Sequence, residues 1–166
     1  MIKRVVSILM TSSLLFVVAC NNDSGKSKKT ASEPTRKAVA DSLENEVIEG
    51  HNVVMPKSMK IPKIKKEAER LLDSISKLPA RAQVAAAPMK ARLQDLVKNL
   101  DSAYNSMEKW MEDFGHKMQE FNADSAKSRI EERIKFLSEQ KISIGTVKEA
   151  VFNSLSKADS VLKTKF

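Results

Sequence analysis

Residues 38–78 read AVADSLENEVIEGHNVVMPKSMKIPKIKKEAERLLDSISKL, and this stretch decides the fold. Ala40, Leu43, Val47, Gly50, Val54, Lys57, Ile61, Ile64, Ala68, Leu71, Ile75 and Leu78 follow one another at alternating steps of three and four, and ten of the twelve are apolar. A strand would repeat its apolar residues every second position. A heptad seam of this length instead predicts a long helix packed on partner helices. Pro56 and Pro62 interrupt the run. Proline removes a helix hydrogen bond and kinks the axis. Both lie off the seam, so a bent helix or two abutting segments is expected. Leu78-Pro79-Ala80 reads as the stop.

The same spacing continues on the far side of that stop. Pro88 is expected to open a second helix as a first-turn residue. Met89, Leu93, Leu96, Leu100, Ala103, Met107, Trp110, Phe114 and Phe121 form its seam, with a gap that Lys117 or Met118 must fill. Asn122-Ala123-Asp124-Ser125 is the next polar break. Ser128 and Glu131 have the capping-box spacing ahead of a third helix that carries Ile130, Ile134, Leu137, Ile144, Val151, Leu155, Ala158 and Leu162. The β-branched residues and glycine of Ile142–Val147 are expected to soften that helix without breaking it. Three long helices with short breaks predict an all-α fold. It would be an elongated, up-down-up antiparallel three-helix bundle of coiled-coil character over residues 38–166.

Composition agrees. Four glycines and five prolines among 166 residues are too few for the many turns of a sandwich or barrel. One cysteine excludes an intramolecular disulfide.

The chain opens MIKRVVSILMTSSLLFVVAC. Lys3 and Arg4 precede an apolar run too short for a membrane span, which is the pattern of a secretory signal peptide over residues 1–19. Val17-Val18-Ala19-Cys20 resembles the bacterial lipobox. That resemblance implies cleavage before Cys20 and acylation of its thiol and amine, which gives a stable lipid anchor. Residues 21–37 have no large apolar side chain and carry net +3, so residues 20–37 are expected to be an acylated, flexible tether. Asn21 is not the aspartate of the enterobacterial inner-membrane sorting rule, and Lys26, Lys28 and Lys29 replace any acidic export cluster. The expected location is the cell envelope, at the outer membrane facing the periplasm.

Two further motifs carry a family resemblance. Glu46-Val47-Ile48-Glu49-Gly50-His51-Asn52-Val53-Val54-Met55-Pro56-Lys57 is similar to the His-x-x-Val-Met-Pro-Lys segment of small uncharacterised Bacteroidota lipoproteins labelled "viral A-type inclusion protein". Trp110-Met111-Glu112-Asp113-Phe114 is similar to their Trp-Met-x-x-Phe, and the amphipathic stretch from Glu139 to Leu162 to their last helix. Those relatives usually have an acid after the histidine, where this chain has Asn52 and then Val53. The resemblance implies no activity.

No enzyme chemistry is legible. A Gly-rich phosphate loop is absent, and the only histidines are His51 and His116, so no nucleophile–base pair can be drawn and no enzyme is expected. Glu108, Glu112, His116 and Glu120 recur every four residues and share one helical stripe. Such a stripe offers at most two metal ligands from adjacent turns, where zinc needs three or four. A metal is therefore not expected, and no cofactor is implied. In an antiparallel bundle whose second helix starts at Pro88, His51 and His116 would sit at similar height. His51 itself is expected to bond a carbonyl freed by the Pro56 kink. His51, Glu112, His116 and Glu120 remain the candidate ligand-binding residues. The net charge of +8 is modest, and an exported protein does not meet chromosomal DNA, so nucleic acid is not an expected partner. The leading expectation is a structural or interaction role toward another envelope protein, and the alternative is a ligand- or metal-binding lipoprotein.

Overall fold

A computed structural model describes residues 32–123 and 129–163. The signal peptide, Cys20, most of the tether and Ser128 lie outside the described residues. Four helices follow in order: α1 (Glu33–Ser58), α2 (Ile61–Ser76), α3 (Ala80–Asn122) and α4 (Ile130–Leu162). No strand occurs among the described residues. Residues 31–166 form one compact unit, which holds every buried residue among those described.

α1 begins before the expected boundary at residue 38. Pro34, in the first turn, has its φ already set for a helix, and the Arg36 N–H donates to the Ser32 carbonyl at 3.0 Å. Arg36 also pairs with Glu131 of α4 at 2.7 Å, so residues 33–37 are helix rather than tether.

The proline-containing stretch is two abutting segments. Pro56 stays inside α1, and the break comes at Met59 and Lys60. Pro62 has no N–H to give the Ser58 carbonyl, so the helix must restart, with Pro62 in the first turn of α2. Both joint residues keep right-handed helical dihedrals, and the Lys60 N–H bonds Lys57 O at 3.1 Å, a tightened turn rather than a bend. The Ser58 hydroxyl donates to Met55 O at 2.9 Å, which lets this serine sit almost fully buried at the joint. Ala40, Val47, Val54, Ile61, Ala68 and Ile75, every seventh residue, are buried straight through the joint. The intervening Lys57 and Leu78 are exposed.

α3 corrects the expected helix start. It begins at Ala80, and Pro88 lies in its interior, on the exposed side. Residues 80–87, ARAQVAAA, are rich in alanine, the best helix former, and that preference carries the helix up to and through the proline. Gln83 closes the α2–α3 turn by donating its side-chain amide to Ser76 O at 3.0 Å and Leu78 O at 2.8 Å. Met118, not Lys117, fills the gap in the seam.

α4 is continuous through Gly145. Its N-cap is Arg129, whose guanidinium pairs with Glu132 across the first turn; the expected Ser128–Glu131 box falls on Ser128, outside the described residues. Its buried face is Leu137, Ile144, Val147, Val151, Ser154, Ala158 and Val161. Val147, Ser154 and Val161 take the places expected of Leu155 and Leu162, which are half-buried. The Ser154 hydroxyl is satisfied by Val151 O at 2.9 Å, so a polar residue can hold a core position.

α1 and α4 run parallel, tied by Arg36–Glu131, by Lys141–Glu46 at 2.5 Å, and by close approach of Gly50 to Ile144. α3 runs antiparallel to both. α1 packs closely on α4 and only sparsely on α3, whereas α2 packs closely on α3. Lys157 of α4 pairs with Asp95 of α3, which sets their register. Leu162, five residues on, is therefore level with Lys90, and the first ten residues of α3, about 15 Å, extend past the end of α4. The described residues thus form a three-helix bundle with a two-helix hairpin projecting from one end.

A candidate binding cleft between α1 and α3

The sparse contact between α1 and α3 has a cause in side-chain size. Trp110, Met111 and Phe114 project from α3 toward α1, and bulky side chains hold helix axes apart. Trp110 stacks on Phe114 with centroids 5.0 Å apart and planes 10° from parallel. His51 of α1 stacks on the same indole at 6.0 Å and 27°. The ladder continues from Phe114 to Phe136 of α4 at 6.0 Å, then to Phe121 at 5.7 Å. Lys117 and Arg129 lie over the Phe121 ring, each 5.3 Å from its centroid. Aromatic pairs of this kind are worth about 0.5–1.5 kcal/mol beyond the area they bury.

Where the ladder meets solvent it leaves a cleft of about 280 Å³ lined by Ile48, His51, Trp110, Met111 and Phe114. Trp110 is 5% exposed, and its indole N–H is buried with no acceptor among the described residues. A buried donor without a partner is destabilising by about 1–3 kcal/mol.

His51 does not serve as expected. Its Nδ1 lies 3.1 Å from the Asn52 side-chain oxygen, and its ring faces Trp110 rather than a carbonyl freed at the kink. Nor do the two histidines meet. The start of α3 at Ala80 rather than Pro88 moves the register by two turns and puts Trp110, not His116, opposite His51. Glu108, Glu112, His116 and Glu120 all lie exposed on α3. Glu120 is engaged by Lys117 at 2.6 Å, and Glu112 lies beside the Lys109–Asp113 pair, where it helps hold the Lys109 ammonium above its ordinary pKa, after the larger effect of Asp113. Among the described residues no group of three or more His, Cys, Asp or Glu could hold a metal ion. The stripe is a solvated helix face.

Of the four candidate residues, only His51 reaches the cleft. Phe136 stands in no stretch singled out in the sequence, and Ile48 and Met111 stand only within the two family-like motifs, with no role assigned. Ile48 and Met111 flank His51 and Trp110 in the chain, and the correct α1–α3 register would have paired them.

No family model matches the chain, and no curated protein or solved structure matches it. Among the described residues no helix is long and apolar enough to cross a membrane.

Proposed function

We propose that the chain is a cell-envelope lipoprotein, anchored through acylated Cys20, whose helical body is a protein-interaction module. The anchor rests on the sole cysteine standing in Val17-Val18-Ala19-Cys20 behind an apolar, positively led segment. The module rests on the cleft between α1 and α3. Its volume of about 280 Å³ falls below the roughly 300–1,000 Å³ of small-molecule pockets, and it suits one apolar side chain. Trp110 offers that visitor an aromatic wall. Ile48, 41% exposed at its edge, widens the contact. The two sequence motifs also resemble those of the Bacteroidota lipoproteins noted above. We place the protein at the outer membrane, facing the periplasm.

Two measurements test this reading. Cys20→Ser is expected to abolish incorporation of labelled palmitate and to release the protein from membranes; continued labelling refutes the anchor. A photo-crosslinking residue at Met111 in intact cells is expected to trap one discrete protein. Trapping of none, with a small molecule retained by the purified protein in native mass spectrometry, would replace the interaction reading with the ligand-binding one.

A further inference from the structure

The core seam of α3 outruns its cover. Leu100, Leu96, Leu93, Met89, Ala86 and Ala82 follow one another at alternating steps of four and three. Leu100, Leu96 and Leu93 are fully buried, whereas Met89, Ala86 and Ala82 are half-buried. The change falls where α4 ends, since Leu162 is level with Lys90. Past that level α2 is the one helix beside α3 among the described residues, and it takes one side, where Gln83 bonds Ser76 O and Leu78 O. The other side carries Arg81, Ala85, Pro88 and Arg92 at helical spacing. The same stripe continues as Asp95, Asn99 and Ser102, and there α4 lies against it, with Lys157 on Asp95. Beyond α4 the stripe opens into a concavity of about 420 Å³, lined by Ala82, Ala85, Ala86, Pro88, Met89 and Arg92.

The shape suits a helix. The concavity continues the α3–α4 interface, and its alanines leave room for larger apolar side chains from a helix laid end to end with α4. All six lining residues belong to α3, so no opposing wall encloses a small molecule, whose sites bury about 70–90% of the ligand. A flat lipid surface cannot fill a hollow. The charge is opposite in sign to that beneath α4. Asp95 is answered by Lys157, while Arg81 and Arg92 are exposed and have no ion-pair partner among the described residues. They bracket the small residues from eleven positions, about 16 Å, apart. A second copy paired antiparallel on this stripe would set Arg81 against Arg92, a repulsive match. The chain's own acidic stripe, Glu108 to Glu120, has no exposed large apolar residue to enter the hollow.

We propose that this uncovered stretch of α3 is the docking seat of an acidic amphipathic helix from a partner protein. The apolar face of that helix enters over Ala82, Ala85 and Ala86, and two of its carboxylates, about three turns apart, meet Arg81 and Arg92. The visitor does for this stretch what α4 does for the rest of α3. The seat is independent of Cys20 acylation and of the α1–α3 cleft.

The test uses unlipidated chain from Asn21 onward, which retains the compact unit, and two labelled synthetic peptides of about 20 residues, long enough to form a helix. Both carry leucines at steps of three and four; one has glutamates beside that stripe and the other has lysines. By fluorescence anisotropy the glutamate peptide is expected to bind at least about tenfold tighter than the lysine peptide. The double variant Arg81→Glu, Arg92→Glu, both at exposed positions, should reverse that preference. Lys135→Glu, Lys148→Glu makes the same change of net charge on α4 and should keep the preference within about threefold. A photo-crosslinking residue at Ala85 should trap the glutamate peptide, and one at Lys148 should not. Equal binding of the two peptides, a preference that survives the Arg81→Glu, Arg92→Glu change, or equal trapping at both positions overturns the proposal. So does a dimer of the chain crosslinked through position 85 in the absence of peptide, which would make a second copy the occupant. Failure to trap a protein at Met111, or the absence of lipid label on Cys20, does not bear on it.

Discussion

Gly50 of α1 lies against Ile144 of α4 so closely that a Cβ on the glycine would stand 3.0 Å from Ile144 Cγ2. The parallel pair α1–α4 depends on this approach. Alanine at position 50 would gain about 1 kcal/mol of helix propensity and lose a similar amount to crowding by a stiff β-branched side chain. Gly50→Ala is therefore expected to change stability by less than about 1 kcal/mol, and Gly50→Leu to lower it by about 1–3 kcal/mol. Urea denaturation of both, with and without Ile144→Ala, checks this. The Leu variant should recover part of its loss when Ile144 is shortened, and no recovery would show that the crowding lies elsewhere.

Trp110 is the only tryptophan, so its fluorescence reports the α1–α3 ladder directly. Trp110→Ala removes a 5%-exposed ring stacked against His51 and Phe114 and is expected to destabilise the bundle by about 3–5 kcal/mol. In the parent, emission should be blue-shifted and poorly quenched by iodide. An emission maximum near that of free tryptophan would contradict the ladder.

Pro88 interrupts the hydrogen-bond ladder of α3 at a solvent-facing position. Proline in a helix interior is unfavourable by about 3 kcal/mol relative to alanine, while alanine frees the unfolded chain by less than about 1 kcal/mol. Pro88→Ala should therefore stabilise the protein by about 2 kcal/mol, read as a higher Tm. A lower Tm would show that the helix uses the proline.

Acid should loosen the contacts between helices. Lys157 of α4, through its hydrogen bond first, holds Asp95 of α3 below the ordinary aspartate value of 3.8, and Glu132 of α4 is held below 4.5 by Arg129 of its own first turn and then by Lys117 of α3. A carboxylate depressed on folding stabilises the fold above its unfolded pKa, and that contribution disappears as pH falls through the folded value. Tm is expected to be flat near neutrality and to fall below about pH 4. Because these groups are exposed, the drop is small for any one pair. Asp95→Asn should lower Tm at neutral pH and flatten the acid branch; an unchanged acid branch would place the sensitivity in other groups.

The seam from Ala40 to Ile75 was legible because core burial needs apolar residues at the heptad period and little else supplies that pattern. The two-segment form of the first helix followed from Pro62. The start of α3 did not, because a proline eight residues into a helix looks like a beginning until the alanine-rich stretch before it is weighed. That one misplacement carried through to the site. It set His116 opposite His51 and hid the pairing with Trp110. Ser154 escaped notice as a core residue because its hydroxyl is satisfied within its own helix, a local bond that the apolar pattern does not record.

The joint at Met59 and Lys60 also constrains how this chain can change in length. Burial recurs at every seventh residue on both sides of it, so α2 leaves the joint in the same rotational phase with which α1 entered. Each residue of a helix turns its side chains by about 100°. Loss of either joint residue would swing Ile61, Ala68 and Ile75 out of the core together and bring Pro62, Glu69 and Ser76 into their places. A whole heptad could be added or removed there with the phase kept, and only the reach of the hairpin beyond α4 would change.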